Sequence, residues 1–211
     1  MSERVKVKRF VLGELATNTY LVWSQVTRGA MVIDPGGEVD EILAALEEAG
    51  LALEAVVNTH GHVDHILGDA ALLRATGAKL LIGAEEAPFL ADASANLSLW
   101  LGRPLAVPPP DRLLRHGDAV EVGGARFTVL ATPGHTPGGI TLYGEGLAFT
   151  GDTLFAGGIG RTDLPGGDEG VLLASIGREF LSLPDETRVL PGHGPETTIG
   201  RERIGNPFLV V

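Results

Sequence analysis

A chain of 211 residues with 44% hydrophobic and 20% charged side chains is long enough to bury the core of a single domain, residues 1–211, and too apolar to be disordered. The net charge of −11, with no clustered Lys or Arg, argues against a nucleic-acid partner. The lack of cysteine excludes disulfides, thiolate metal ligands and a cysteine nucleophile, leaving nitrogen and oxygen as the only donors for a metal.

The opening MSERVKVKRFVLG alternates charged and apolar side chains instead of presenting a continuous apolar segment, and no later run approaches membrane-spanning length. A soluble, cytoplasmic protein without a membrane partner is expected. Strands are predicted at VKVKRFVLG, TYLVWS and GAMVIDPGG, the last stopped by the Pro and Gly after Asp34. Val39, Ile42, Leu43 and Leu46 then fall at helical spacing, with Gly50 as the stop. A short buried strand, LEAVVNTH, precedes a helix over HILGDAALLRATGA and a strand at KLLIG, and Ala84 to Pro110 reads as a helix followed by a proline-rich loop. The second half restarts with a hairpin turning at Gly123 and Gly124, followed by strands GITLYG and GLAFTGD, a helix from Glu169 to Phe180 and a strand TRVLPGH. Each half runs strands, helix, strand. The expected architecture is therefore α/β, two packed sheets with helices outside, in the layer order αββα.

Three histidines and an aspartate crowd the string HGHVDH: His60, His62, Asp64 and His65. Imidazole and carboxylate are the ligands a cysteine-free chain has for zinc, iron or manganese. His60 and His62, separated by a glycine, can point to the same side of a turning loop, and Asp64 and His65 follow where a helix begins. Other apolar strands also end in a ligand-type residue beside a glycine or proline turn, presenting Asp34, His135, Asp152 and His193. Such loops gather at one rim of a sandwich, where function is expected. His116 lacks a partner motif and reads as an ordinary exposed or structural histidine.

The strings THGHVDH, PGHTPG, FTGD and LPGHG, in this order, resemble the metallo-β-lactamase superfamily, and within it the compact glyoxalase II (hydroxyacylglutathione hydrolase) group. The resemblance implies a four-layer αββα sandwich with two divalent metals in the cleft between the sheets, zinc or iron ahead of manganese. By that match, His60, His62 and His135 hold the first metal and Asp64, His65 and His193 the second. Asp152 bridges both, and Asp34 supports a metal-binding histidine. The family lysine that contacts substrate falls at Arg161. The two tyrosines that hold glutathione fall at Asp163 and Pro195, and the C-terminal helical domain of longer members is missing, which weakens the case for glutathione as the natural thiol.

The implied reaction is hydrolysis of a small-molecule thioester, such as S-D-lactoylglutathione, by a hydroxide shared between the metals, with Asp64 and Asp152 as the catalytic carboxylates. Many metallo-β-lactamases carry cysteine where Asp152 stands, and flavodiiron oxygen reductases an acidic residue where His62 stands. Both departures favour hydrolytic glyoxalase-type chemistry. A rival reading is a mononuclear iron enzyme resembling persulfide dioxygenases, using His60, His135 and Asp152. Another is a non-catalytic binding module stabilised by metal. The oligomeric state is open.

Overall fold

The structure, a computed structural model, describes residues 5–209. The first four residues of the opening stretch lie outside that range. Six strands in chain order form the first sheet: β1 (Val5–Leu12), β2 (Thr17–Ser24), β3 (Gly29–Ile33), β4 (Ala52–Asn58), β5 (Lys79–Gly83) and β6 (Arg112–Leu114). The first three pair antiparallel, and β3 through β6 run parallel. Along the chain there follow β7 (Ala119–Val122), β8 (Ala125–Ala131), β9 (Ile140–Gly144), β10 (Leu147–Gly151), a small hairpin β11 (Leu154–Phe155) with β12 (Gly158–Ile159), then β13 (Arg188–Pro191) and β14 (Thr197–Thr198). The second sheet has the order β14-β13-β10-β9-β8-β7, in which β10 and β13 are parallel.

Both sheets are covered on two faces, which is why β3, β10 and the end of β4 are near-continuous apolar runs. Between the sheets, Met31, Ile33 and Val57 of the first meet Phe127, Val129 and Phe149 of the second. On the outer face of the first sheet, Val32 and Val56 pack under α1 (Asp40–Glu48) and α3 (Asp69–Thr76) through Ile42, Leu46 and Leu72. On the outer face of the second, α4 (Glu169–Glu179) and α5 (Ile199–Gly205) bury Leu172, Ile176 and Ile199 against Leu130 and Val189. The result is the expected αββα sandwich. Helix starts are capped where the sequence offers a capping side chain: Asp168 accepts from the Val171 amide ahead of α4, and Thr198 from that of Arg201 ahead of α5.

The structure departs from the sequence reading in three places. The helix expected over His65 to Ala78 is two, α2 (Val63–Ile66) and α3, because Gly68 turns its amide to the Pro35 carbonyl at 2.7 Å and packs so closely on residues 35–39 that a side chain would not fit. After Ala84 there is a 3-10 run, Ala84–Leu90, with Pro88 inside it, in place of an α-helix. The short elements β6, β11, β12, β14 and α5 add to the predicted set. No helix among the described residues is long and apolar enough to cross a membrane.

Phe149 is 1% exposed and packs edge-on against Tyr20, whose ring centroid is 5.3 Å away, in the inter-sheet core. Phe149→Ala should lower unfolding free energy by about 3–5 kcal/mol in chemical denaturation of the metal-free protein. Val26→Ala, at an 86% exposed position, should change it by less than about 0.5 kcal/mol.

Candidate metal centre

Each ligand-type loop follows the carboxyl end of a strand, and the strands of both sheets end at one rim. Asp34 follows β3; His60 and His62 follow β4, with Asp64 and His65 in the short helix α2 just beyond. From the second sheet, His135 lies beyond β8, Asp152 immediately after β10 and His193 just past β13. The parallel pairing of β10 with β13 puts the Asp152 and His193 loops side by side, joined by the Gly192 amide donating to the Gly151 carbonyl at 2.8 Å.

The rim holds two clusters. In the first, donor atoms of His60, His62 and His135 lie within 4.8 Å of one another, with His62 Nδ1 and His135 Nε2 3.0 Å apart. In the second, Asp64, His65 and His193 meet the same limit, Asp64 Oδ2 lying 3.2 Å from His193 Nε2 and 3.5 Å from His65 Nε2. Asp152 faces both. Its Oδ1 is 3.4 Å from His65 Nε2, while its Oδ2 is 3.7 Å from His135 Nε2 and 3.5 Å from His193 Nε2. Donors on a tetrahedral zinc with bonds of about 2.0–2.1 Å stand about 3.3 Å apart, so these separations suit shared ions. His60 Nε2, His65 Nε2 and Asp152 Oδ1 are buried with no hydrogen-bond partner in the protein. Such atoms are rare in folded proteins, and divalent ions satisfy all three. The histidine and aspartate cluster is a metal-binding one.

The opposite ring nitrogens are anchored. Asp34 Oδ1 accepts from the Thr59 amide at 2.7 Å, and its Oδ2 accepts from Thr59 Oγ1 at 2.6 Å and lies 3.0 Å from His65 Nδ1. That fixes the His65 tautomer with Nε2 turned into the site. Although Asp34 also lies within reach of His60 and His65, its oxygens are committed to Thr59 and His65, so it holds a ring in place rather than facing the rim. It takes a left-handed backbone with φ of 51°, a conformation aspartate tolerates better than bulkier residues. His135 Nδ1 donates to the Arg161 carbonyl at 2.6 Å. Gly192 completes the cradle, since a Cβ there would run into Asp152 Oδ1 and stand 2.7 Å from His65 Cε1.

The two clusters differ electrically. Burial, with the neighbouring imidazoles, lowers His60 well below the usual histidine range and pushes His62 down to about 3. Burial works in the same direction on His65, but Asp64, Asp152 and Asp34 outweigh it and raise that histidine well above its ordinary value. His193 is likewise raised, the Asp64 hydrogen bond and Asp152 overcoming burial. For Asp64 and Asp152 burial alone would raise the carboxyl, but His65 and His193 outweigh it and hold both groups low.

Glu86 is the residue that sequence reasoning missed. Fully buried in the 3-10 run, it accepts from the Gly61 amide at 2.8 Å and from the Gly138 amide at 2.7 Å. Gly61 separates His60 from His62, and Gly138 follows His135, so one carboxylate ties together the two loops of the first cluster. Arg161 lines the cleft, but its guanidinium makes a two-pronged pair with Asp163 at 2.7 and 2.8 Å, and Asp163 and Pro195 are exposed. His116 stands apart, accepting from the Ala131 amide at 3.3 Å.

Residues 12–193 match the Metallo-beta-lactamase superfamily. The chain belongs to that superfamily. A relative from Haemophilus influenzae named hydroxyacylglutathione hydrolase GloC is 39% identical over 91% of this chain and 92% of its own. Among solved structures, the B3 metallo-beta-lactamase BLEG-1 superposes with a TM-score of 0.93 at 39% identity, covering 98% of this chain and 100% of that one. TTHA1623 in a di-iron-bound form gives 0.85 at 41%, covering 96% and 100%. ETHE1 from Myxococcus xanthus gives 0.79 at 37%, covering 96% and 83%. The family is one of metallo-hydrolases.

Two outcomes follow from this geometry. Glu86→Ala should weaken metal binding to the first cluster about 10–100-fold while leaving the second unchanged, as read by metal analysis after dialysis at graded ion concentrations; equal loss from both would mean general loosening. In the metal-free protein, nitrogen NMR near pH 6.5 should find His65 and His193 largely protonated, because their values are raised. His62 should stay neutral until the pH approaches about 3.

Proposed function

We propose that the protein is a binuclear metallohydrolase acting on thioesters, with His60, His62 and His135 around one ion, Asp64, His65 and His193 around the other, and Asp152 shared. The observation carrying this reading is the Asp152 carboxylate, which turns one oxygen to His65 of the second cluster and the other to His135 of the first. A pair of divalent ions in such a site supplies a hydroxide at near-neutral pH and stabilises charge developing on a carbonyl oxygen.

The chain's own residues do the positioning. Thr17 Oγ1 donates to Asp64 Oδ2 at 3.0 Å, aiming a carboxylate that is kept ionised and can orient the attacking water by accepting a hydrogen bond from it. His60, His62, His65 and His135 are buried floor residues, whereas His193 is 28% exposed on the open side. A thiol leaves readily as thiolate, so a thioester makes little demand on the site for a proton donor to the leaving group. The likeness to GloC, named a hydroxyacylglutathione hydrolase, supports a thioester, and that to TTHA1623 in a di-iron-bound form supports a pair of iron ions as one occupant.

A second reading is the mononuclear iron enzyme of the persulfide dioxygenase resemblance, using His60, His135 and Asp152, and the likeness to ETHE1 beside that to GloC keeps the choice between activities open. The intact second cluster weighs against it. Metal analysis coupled to assays on thioesters, lactones and β-lactams, with oxygen uptake followed in parallel, separates the two. Two ions per chain with thioester cleavage is expected, and one iron with oxygen uptake would replace this reading. Asp152→Ala should empty both clusters and lower kcat/KM by about a thousandfold or more, with His116→Ala unchanged in both respects. Full double occupancy in the Asp152 variant would refute the shared-ligand role.

A further inference from the structure

Two cavities adjoin at the rim. One, of about 520 Å³, has His62, Asp64, His135, Asp152 and His193 at its floor. The other, of about 700 Å³, lies on the far side of Asp64, and the two share Leu15, Val63, Asp64 and Leu101 as common wall. The shared wall sets the two cavities side by side, with Asp64 between them, so a substrate whose carbonyl sits over the metals can extend one group along each arm.

The arms differ in chemistry. The arm over the metals is walled by Leu97, Trp100, Phe155, Ile159 and Leu164. Trp100 is 65% exposed, and Leu15 and Leu101, at the junction, are 53% and 52% exposed. Single exposed apolar side chains are ordinary, but several gathered on one concave surface beside a reactive centre mark a seat for an apolar group. The other arm also has apolar wall, from Val11, Leu12 and Leu67, but it alone carries a run of carboxylates, Glu14, Glu38, Asp40 and Glu41, with Arg103 as its cation. Arg103 faces Glu14 at 4.0 Å, and Arg161 on the first arm is paired with Asp163. In the second arm Arg103 lies against Glu14, and Glu38, Asp40 and Glu41 leave that arm negative, apart from the charge that ions would bring to the floor of the first.

We infer that the substrate is a thioester with an apolar acyl group, seated along Trp100 and Leu97, on a thiol that is uncharged or cationic and lies in the acidic arm. This rests on the thioester reading and narrows it. An anionic carrier such as glutathione brings carboxylates into a groove that repels them.

The test uses the metal-loaded enzyme with one acyl group, hexanoyl, on thiocholine, N-acetylcysteamine and glutathione, and acetyl against hexanoyl on N-acetylcysteamine. Hexanoyl should exceed acetyl by about tenfold or more in kcat/KM, consistent with burial of several methylenes. The thiocholine ester should lead and the glutathione ester trail. Added salt should lower kcat/KM for the first and raise it for the second, because screening weakens both attraction and repulsion. Glu38→Lys with Glu41→Lys should raise the ratio of kcat/KM for the glutathione ester to that for the N-acetylcysteamine ester several-fold, and lower the ratio for the thiocholine ester. Trp100→Ala should abolish the chain-length preference; if that variant fails to fold, Leu15→Ser at the junction should reduce it. Cleavage of all the thioesters without chain-length or charge preference overturns the inference and leaves the thioester reading standing. Cleavage of none, with lactones or β-lactams opened instead, overturns both. A groove filled by a second copy would show as a dimer that Trp100→Ala dissociates, with no change in acyl preference, and this too overturns it.

Discussion

The centre depends on one carboxylate facing imidazoles carried by two separate sheets. Asp152 arrives at the end of β10, in the second sheet, and must meet His65 from the first sheet and His135 and His193 from its own. For that to happen, the rims of the sheets have to sit at a fixed separation, which the side chains of the inter-sheet core below them set. It also requires that nothing crowd the carboxylate, and Gly192 supplies the clearance. A core substitution that tilts one sheet against the other therefore reaches the metal centre without touching it.

Burying four imidazoles beside carboxylates is costly unless each group has a partner. The fold provides partners for one end of the rings: Asp34 for His65, the Arg161 carbonyl for His135 and Thr59 Oγ1, 3.1 Å from His60 Nδ1. The other ends of His65 and His135 turn toward Asp152, and that of His135 toward His62 as well. The same hydrogen bonds that fix the tautomers thus gather donors of the kind that hold divalent ions.

The layer order and the seven ligand-type residues were legible in the sequence because each signal is local: a strand, a turn, then His or Asp. Apolar periodicity likewise identified β1 to β5, β7 to β10, α1, α4 and β13. Glu86 was not legible. Its bonds run to amides 25 and 52 residues away, and a glutamate in GAEEAPFL carries no mark of burial. The break at Gly68 depends on contacts with residues 35–39, and β11, β12 and β14, at two residues each, are too short to show a period. The contact from the Arg161 backbone oxygen to His135 was hidden for a similar reason: backbone roles leave no trace in residue type.

The division of the ligands between two sheets built from successive halves of the chain has a temporal side. His62 and His135 are 73 residues apart, so at synthesis rates of about 5–20 residues per second His135 emerges about 4–15 s after the first cluster's earlier ligands, and Asp152 and His193 later still. During that interval the ribosome displays a histidine-rich loop whose cage has only one side. An ion captured then would be weakly held and readily exchanged. Each cluster is complete only once the second sheet has docked, because each takes a histidine from it, His135 in the first and His193 in the second.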